Sequence, residues 1–297
     1  MIKAGLVDFD TSHTLQFTMR FNHLEIAEDQ WVDGVQIVAG LPGQAAPGND
    51  ERQAEYIEKV KGWGVKMVDS PEALMKEVDV VLVESLEGSR HLERARPFIE
   101  AGMCMFIDKP FTDSIQDAET IIELAGKHGA KLMTGSSLRY ALEVQELHEK
   151  ADELGSVVSA VAYSPSKPLN EVPALVNYGV HGVETLYGIM HGGCAKVSSA
   201  DYGALQTVTG QWPDGRTGVM VGVQEGSGGY GFTAYCEKGI FVRQINSAYI
   251  YRELLKAMAK FFETGQPPIP IEESLEVMVF IQRALESAKQ GGAEVAM

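Results

Sequence analysis

The sequence predicts an α/β protein in two parts. An N-terminal doubly wound parallel sheet is expected over residues 1–135, and an α+β domain with a mainly antiparallel, open sheet over residues 136–297. Three observations predict this. Short apolar runs alternate with helix-like stretches through the first half, which is the pattern of repeated β-α units. One of those runs, Val78 to Val83, is apolar at nearly every position, as a parallel strand covered on both faces must be. From Lys196 to Val242, by contrast, strand patterns follow one another without an intervening helix.

In order, Ile2 to Val7 reads as a strand and Thr14 to Leu24 as a helix. A second strand runs from Val35 to Ala39, and a helix with Glu and Lys on its solvent face from Asp50 to Gly62. Ser70-Pro71-Glu72 starts a helix, with Ser as the cap and Pro in the first turn. After the strand ending at Val83, His91 to Ala101 is helical and stops at Gly102. Met103 to Ile107 is a strand, Asp113 to His128 a helix closed by Gly129, and Lys131 to Thr134 a short strand. Leu138 to Leu154 reads as one linking helix, Val157 to Tyr163 as a strand and Pro173 to Met190 as a helix. The late strands are Leu205 to Trp212, Gly218 to Gln224, Phe232 to Cys236 and Ile240 to Arg243, with a hairpin turn at Pro213-Asp214-Gly215. Helices over Tyr251 to Thr264 and Ile271 to Gln290 close the chain.

The net charge of −16 argues against a nucleic-acid or anionic-membrane partner. Cys104, Cys194 and Cys236 are widely spaced and give neither a disulfide framework nor paired metal ligands. Ile2 to Val7 is a strand and not a leader, and no apolar run reaches membrane-spanning length, so a soluble, cytoplasmic protein is expected.

Chemistry is expected first at Asp108-Lys109-Pro110. The apolar run Met103 to Ile107 ends there, Pro110 keeps the backbone extended, and Lys109 stands at the carboxyl edge of the sheet, where open α/β sheets bind ligands. The bland alternative is a surface lysine laid along apolar neighbours.

Several landmarks occur together and in order. They are His91 through Ala101-Gly102 to Asp108-Lys109-Pro110; Ser137-Leu138-Arg139-Tyr140; Asn177-Tyr178-Gly179-Val180-His181-Gly182-Val183-Glu184; and Cys236-Glu237-Lys238-Gly239. In this the chain resembles the glucose–fructose oxidoreductase / inositol dehydrogenase (Gfo/Idh/MocA) family. The resemblance implies a Rossmann-like domain, an α+β domain whose open sheet serves as a homo-oligomer interface, and NAD- or NADP-dependent oxidation or reduction of a sugar, cyclitol or related polyol. It also implies that Lys109 sits between substrate and nicotinamide and that His181 faces the reacting hydroxyl. Asn177, Arg139 and Tyr163 would lie near the substrate. The chemistry is consistent: hydride leaves a carbinol carbon only as its hydroxyl proton is taken by a base, and a nearby ammonium stabilises negative charge on oxygen.

The nucleotide loop departs from the pattern. Where glycines would let the backbone approach a pyrophosphate, the loop reads Asp8-Phe9-Asp10-Thr11-Ser12-His13. One unscreened carboxylate–phosphate pair at 4 Å costs roughly 4 kcal/mol at an effective dielectric of 20. The second strand ends without an acid for the ribose, the fourth ends at Glu84-Ser85, and Asn177 stands where the family has Asp. Two readings follow. Either the dinucleotide is held by other groups, with Asp8, Asp10, Thr11, Ser12, His13, Glu84, Asp108 and Lys109 around it and a divalent ion bridging carboxylate and phosphate. Or redox chemistry is lost, and Asp10, His13 and Glu84 bind a metal in a carbohydrate-binding or regulatory protein, or in a metal-assisted lyase or isomerase. In that second case Asp8, Glu87, His91 and Asp108 are expected at the same sheet edge. A literal G-x-G-x-x-G, Gly226, Gly228 and Gly231, leads into a strand and is not expected to bind nucleotide.

Overall fold

The computed structural model describes residues 1–168, 172–226 and 228–297. The chain divides into two units: Met1–Gly135 with Leu254–Ile271, and Ser136–Glu253 with Glu272–Met297. The stretch 254–271, expected with the second domain, returns to the first; it carries the buried side chains of Leu254, Leu255, Met258 and Phe261.

The first unit contains β1 (Ile2–Val7), α1 (His13–Phe21), β2 (Val35–Leu41), α2 (Asp50–Gly62), β3 (Lys66–Met67), α3 (Pro71–Met75), β4 (Val80–Val83), α4 (His91–Glu100), β5 (Cys104–Ile107), α5 (Ile115–His128) and β6 (Lys131–Thr134). The sheet order is β3-β2-β1-β4-β5-β6, with all pairs parallel. This is the doubly wound order that binds ligands where the winding reverses, between β1 and β4. All four residues of β4 are buried, as strands covered on both faces require. The helix signals act locally as the sequence implies. Ser70 Oγ accepts from Ala73 N at 3.2 Å, Ser114 Oγ accepts from Asp117 N at 3.3 Å, and Gly129 closes α5 at φ 74°.

In the second unit the expected linking helix is broken. A 3-10 turn, Ser137–Tyr140, is followed by Ala141 in extended geometry (φ −55°, ψ 143°), then α6 (Leu142–Glu149) and α7 (Ala151–Leu154). No proline or glycine marks that break. Then come β7 (Val157–Pro165), a π-helical turn Leu175–Gly179, α8 (Val180–Met190), β8 (Lys196–Asp201), β9 (Leu205–Gln211), β10 (Thr217–Val223), β11 (Gly231–Cys236) and β12 (Gly239–Gln244). They are followed by α9 (Ile250–Thr264), within which the chain passes back to the first unit, α10 (Ile271–Lys289) and β13 (Val295–Ala296). The sheet order is β12-β11-β7-β10-β9-β8-β13, antiparallel except for the β7–β10 pair.

Strand alternation gives this sheet two faces. Ala160, Ala162, Val208, Met220, Phe232 and Ala234 form the inner one, packed in one core with Val183, Leu186, Tyr187 and Met190 of α8. Every residue of α8 is buried. The helix approaches so closely that a Cβ on Gly182 would stand 2.8 Å from Ser164 Oγ and from Met220 Cε. The outer face carries the register row Val242, Thr233, Val161, Val219 and Thr209, with Ile240 and Tyr235 in the row beside it. Ile240, Val242 and Tyr235 are exposed. Among the described residues, no helix is long and apolar enough to cross a membrane.

Candidate functional site

The loop after β1 supplies the first surprise. Asp8 adopts φ 63°, the left-handed region that a glycine would occupy, and aspartate is among the few side chains that visit it. The backbone thus keeps the turn although the glycine is absent. The Asp8 carboxylate is buried, accepts from Ser85 Oγ at 2.6 Å and from Arg94 Nε at 3.1 Å, and lies against Gly43, where a Cβ would collide with it. Burial raises its pKa, and Ser85 and Arg94 work against that rise.

Asp10 is equally buried and accepts from Ala46 N at 2.9 Å through one oxygen and from Leu86 N at 3.0 Å through the other. Both residues therefore brace the loops after β1, β2 and β4. This corrects two expectations. Asp8 and Asp10 do not stand as bare carboxylates opposing a phosphate, and Asp10 is not a partner of His13 and Glu84. Ser12 is exposed and precedes α1 without a side-chain cap. Thr11 is buried, and its Oγ1 has no hydrogen-bond partner.

The group that does assemble is His13, Glu84 and Asp108, from the start of α1 and the ends of β4 and β5. His13 Nδ1 lies 2.7 Å from Asp108 Oδ2 and 3.6 Å from Glu84 Oε2, and the His13 ring stacks on Phe17 at 4.8 Å. Burial opposes charge on His13, but Asp108 and Glu84 outweigh it and raise its pKa to about 9. Asp108 is lowered to about 2 against its own burial, by His13 first and then by Lys109. Glu84 is raised to about 7, by burial first and then by repulsion from Asp108. Lys109, half-buried, directly follows this group, and its backbone N–H donates to Asp108 Oδ1 at 2.7 Å.

Two other residues expected at this edge have structural partners. His91 bridges the carbonyls of Phe111 (2.9 Å) and Ser85 (3.0 Å), and Glu87 pairs with Arg90 at 2.7 Å.

In the second unit, His181 occupies the first turn of α8, and its Nδ1 shares a 2.6 Å hydrogen bond with Ser136 Oγ. Ser136 is fully buried and also accepts from Leu138 N at 3.2 Å. Tyr230 meets the His181 ring edge-on at 5.9 Å, and Tyr178 lies at 5.8 Å. Three expected neighbours have partners or settings of their own. Asn177 donates to Lys167 O at 3.0 Å. Arg139 is buried in ion pairs with Glu184, at 2.6 Å, and with Glu273, and so presents no free cation to a substrate. Tyr163 belongs to the outer sheet face, with its hydroxyl against Gly231, whereas α8 covers the inner face. The sequence reading missed Ser136, one residue before the motif it singled out, and Tyr230. Gly226 and Gly228 lie in the loop between β10 and β11, which leads into a strand; Ser227 between them lies outside the described residues.

Residues 44–136 match the Gfo/Idh/MocA family model, described as an oxidoreductase family with an NAD-binding Rossmann fold. The chain is 29% identical over 136 residues to YceM of Salmonella typhimurium, covering 45% of this chain and 42% of that protein. It is 31% identical over 117 residues to inositol 2-dehydrogenase 3 of Saccharopolyspora erythraea, covering 37% and 34%. The chain therefore spans well under half the length of these relatives. A crystal structure of scyllo-inositol dehydrogenase from Lactobacillus casei, with bound NAD(H) and scyllo-inositol, shares the fold along the whole chain. Its TM-score is 0.80 at 14% identity, covering 100% of this chain and 99% of that one. The matched segment falls across β4, β5 and Asp108-Lys109-Pro110, and the fold is shared end to end with that dehydrogenase.

Proposed function

We propose that the protein is an NAD(P)-dependent oxidoreductase that transfers hydride to or from a hydroxyl or keto carbon of a sugar, cyclitol or related polyol. The observation that carries this reading is the internal compensation of the acidic loop. With Asp8 held by Ser85 and Arg94, and Asp10 by two backbone N–H groups, the repulsion expected against a pyrophosphate is reduced. The loop also retains a donor for a phosphate oxygen, because Thr11 Oγ1 is buried at the start of α1 without a partner. When bound, the nicotinamide supplies the hydride acceptor or donor. The chain's own residues do the rest. His181, held at Nδ1 by Ser136, exchanges the substrate proton at Nε2, and Lys109 stabilises negative charge developing on the substrate oxygen.

The match of residues 44–136 to the family model and the name of the inositol 2-dehydrogenase relative support a polyol substrate. The apolar outer face of the second sheet, with Ile240 and Val242 exposed, supports association with a second copy of the chain. One observation favours the competing non-redox reading: the buried His13–Glu84–Asp108 group.

Turnover of inositols and sugars, followed by nicotinamide absorbance, tests the assignment. Lys109→Ala and His181→Ala are each expected to lose about 10²–10⁴-fold in kcat. Ordinary turnover in both variants contradicts it.

A further inference from the structure

We propose that His13, Glu84 and Asp108 form a binding site for one divalent transition-metal ion at the carboxyl edge of the first sheet. This goes beyond the oxidoreductase reading and does not depend on it. The three side chains each direct one ligand atom to a common point, all within 4.8 Å of one another. Donors around a first-row ion at about 2.0–2.2 Å must lie within such a span. The set is one imidazole nitrogen and two carboxylate oxygens, which suits zinc or manganese better than calcium or magnesium, whose sites are built from oxygen alone.

A second observation points to a missing partner. Glu84 is 0% exposed, yet neither of its side-chain oxygens receives a hydrogen bond. Buried carboxylates are rarely left so, because losing hydration without a replacement donor is costly. Its nearest donor, His13, forms only a long ion pair with it. His13 Nδ1 is 3.6 Å away and engaged with Asp108 at 2.7 Å. Asp108 Oδ1 is already satisfied by Lys109 N, which fixes that carboxylate with Oδ2 turned toward His13. Such an anchored outer contact is typical of a ligating carboxylate. Charge is compatible with this: a dication that displaces the His13 proton leaves a neutral imidazole and two carboxylates around it, a group of zero net charge, which a buried position tolerates.

The structure also separates this site from Asp8 and Asp10. Asp10 has both oxygens committed to backbone donors, and Asp8 is tied through one oxygen to Ser85 and Arg94 and lies outside the group whose ligand atoms converge. The ligand set is therefore not the acidic loop itself but its far side, where α1 begins.

The test is calorimetric titration of the full chain, stripped with chelator, with zinc and with manganese at pH 8. Elemental analysis after dialysis supplies the stoichiometry. The site predicts one equivalent bound, with magnesium much weaker. Glu84→Gln and Asp108→Asn should each weaken binding by more than the about 10–100-fold typical of losing an outer-shell partner. His128→Ala, at the distant end of α5, should bind as the parent does. Thermal melts establish that each variant is folded. If Asp108→Asn is not folded, Glu84→Gln decides alone, since it keeps the side-chain shape and removes only the buried acid. No stoichiometric ion in the parent, or full binding retained in Glu84→Gln, overturns the proposal. No nucleotide or substrate is present, so the result is independent of the oxidoreductase assignment.

Discussion

Glu84 offers a prediction whose sign runs against intuition: replacing this buried acid should stabilise the metal-free protein. Glu84 is fully buried without a hydrogen-bond donor and beside Asp108, and its pKa is raised from 4.5 to about 7. A carboxyl group with a raised folded pKa gives up its proton first in the unfolded chain. Stability is therefore full below pH 4.5, falls as pH rises toward 7, and stays low above it. The interval from 4.5 to about 7 corresponds to about 3 kcal/mol at pH 8. Glu84→Gln removes that penalty. Part of the gain is lost because Glu84 also supports the charge on His13, although less than Asp108 does. The expected net gain is about 1–3 kcal/mol at pH 8, shrinking to less than about 0.5 kcal/mol at pH 4.5, where the acid is protonated in the folded state and half protonated in the unfolded one. Urea denaturation in chelator at both pH values measures this directly. A variant that is no more stable than the parent at pH 8, or whose difference does not grow with pH, refutes the reasoning.

Further predictions concern the braces. The raised pKa of His13 contributes stability that is complete below pH 6.5 and lost as pH rises through about 9. His13→Ala should therefore flatten the alkaline limb of a stability–pH profile, and should also remove most of the loss on acidification through about pH 2, because His13 is the main group that lowers Asp108 against its burial. Asp8→Gly should be more stable than Asp8→Ala by about 1–2 kcal/mol in chemical denaturation, because only the alanine must hold φ 63° against its own Cβ. Arg139→Ala should cost about 3–5 kcal/mol in the same assay by leaving Glu184 and Glu273 buried without their cation.

The parallel sheet was legible because its strands are buried on both faces and therefore read as plain apolar runs; β4 is the clearest case. The short edge strand β3 has two residues, one exposed, and leaves no such trace. The break at Ala141 was invisible because no residue there forbids a helix, and long-range partners of Arg139 and the cap at Ser136 decide the local path. At the candidate site, Lys109 and His181 could be named from motif order. What each touches could not. Ser136 is far from His181 in sequence, and a serine carries no periodic or compositional signal. The acidic loop misled for the same reason. Sequence counts carboxylates, but only the fold shows that Asp8 meets Arg94 and that Asp10 meets Ala46 and Leu86. Tyr163 is the converse case. It lies near the motif in sequence, yet the period of two along β7 sends it to the outer face.

The central claim is that this loop accepts a dinucleotide because Asp8 and Asp10 are held by partners within the protein. Calorimetric titration of the folded protein with NAD and with NADP, in chelator and then with magnesium, tests it most directly. Binding at micromolar concentration without magnesium is the predicted result. Absence of binding to either nucleotide at millimolar concentration, in both conditions, would contradict it, and would mean that the acidic loop excludes the cofactor despite its internal bonds.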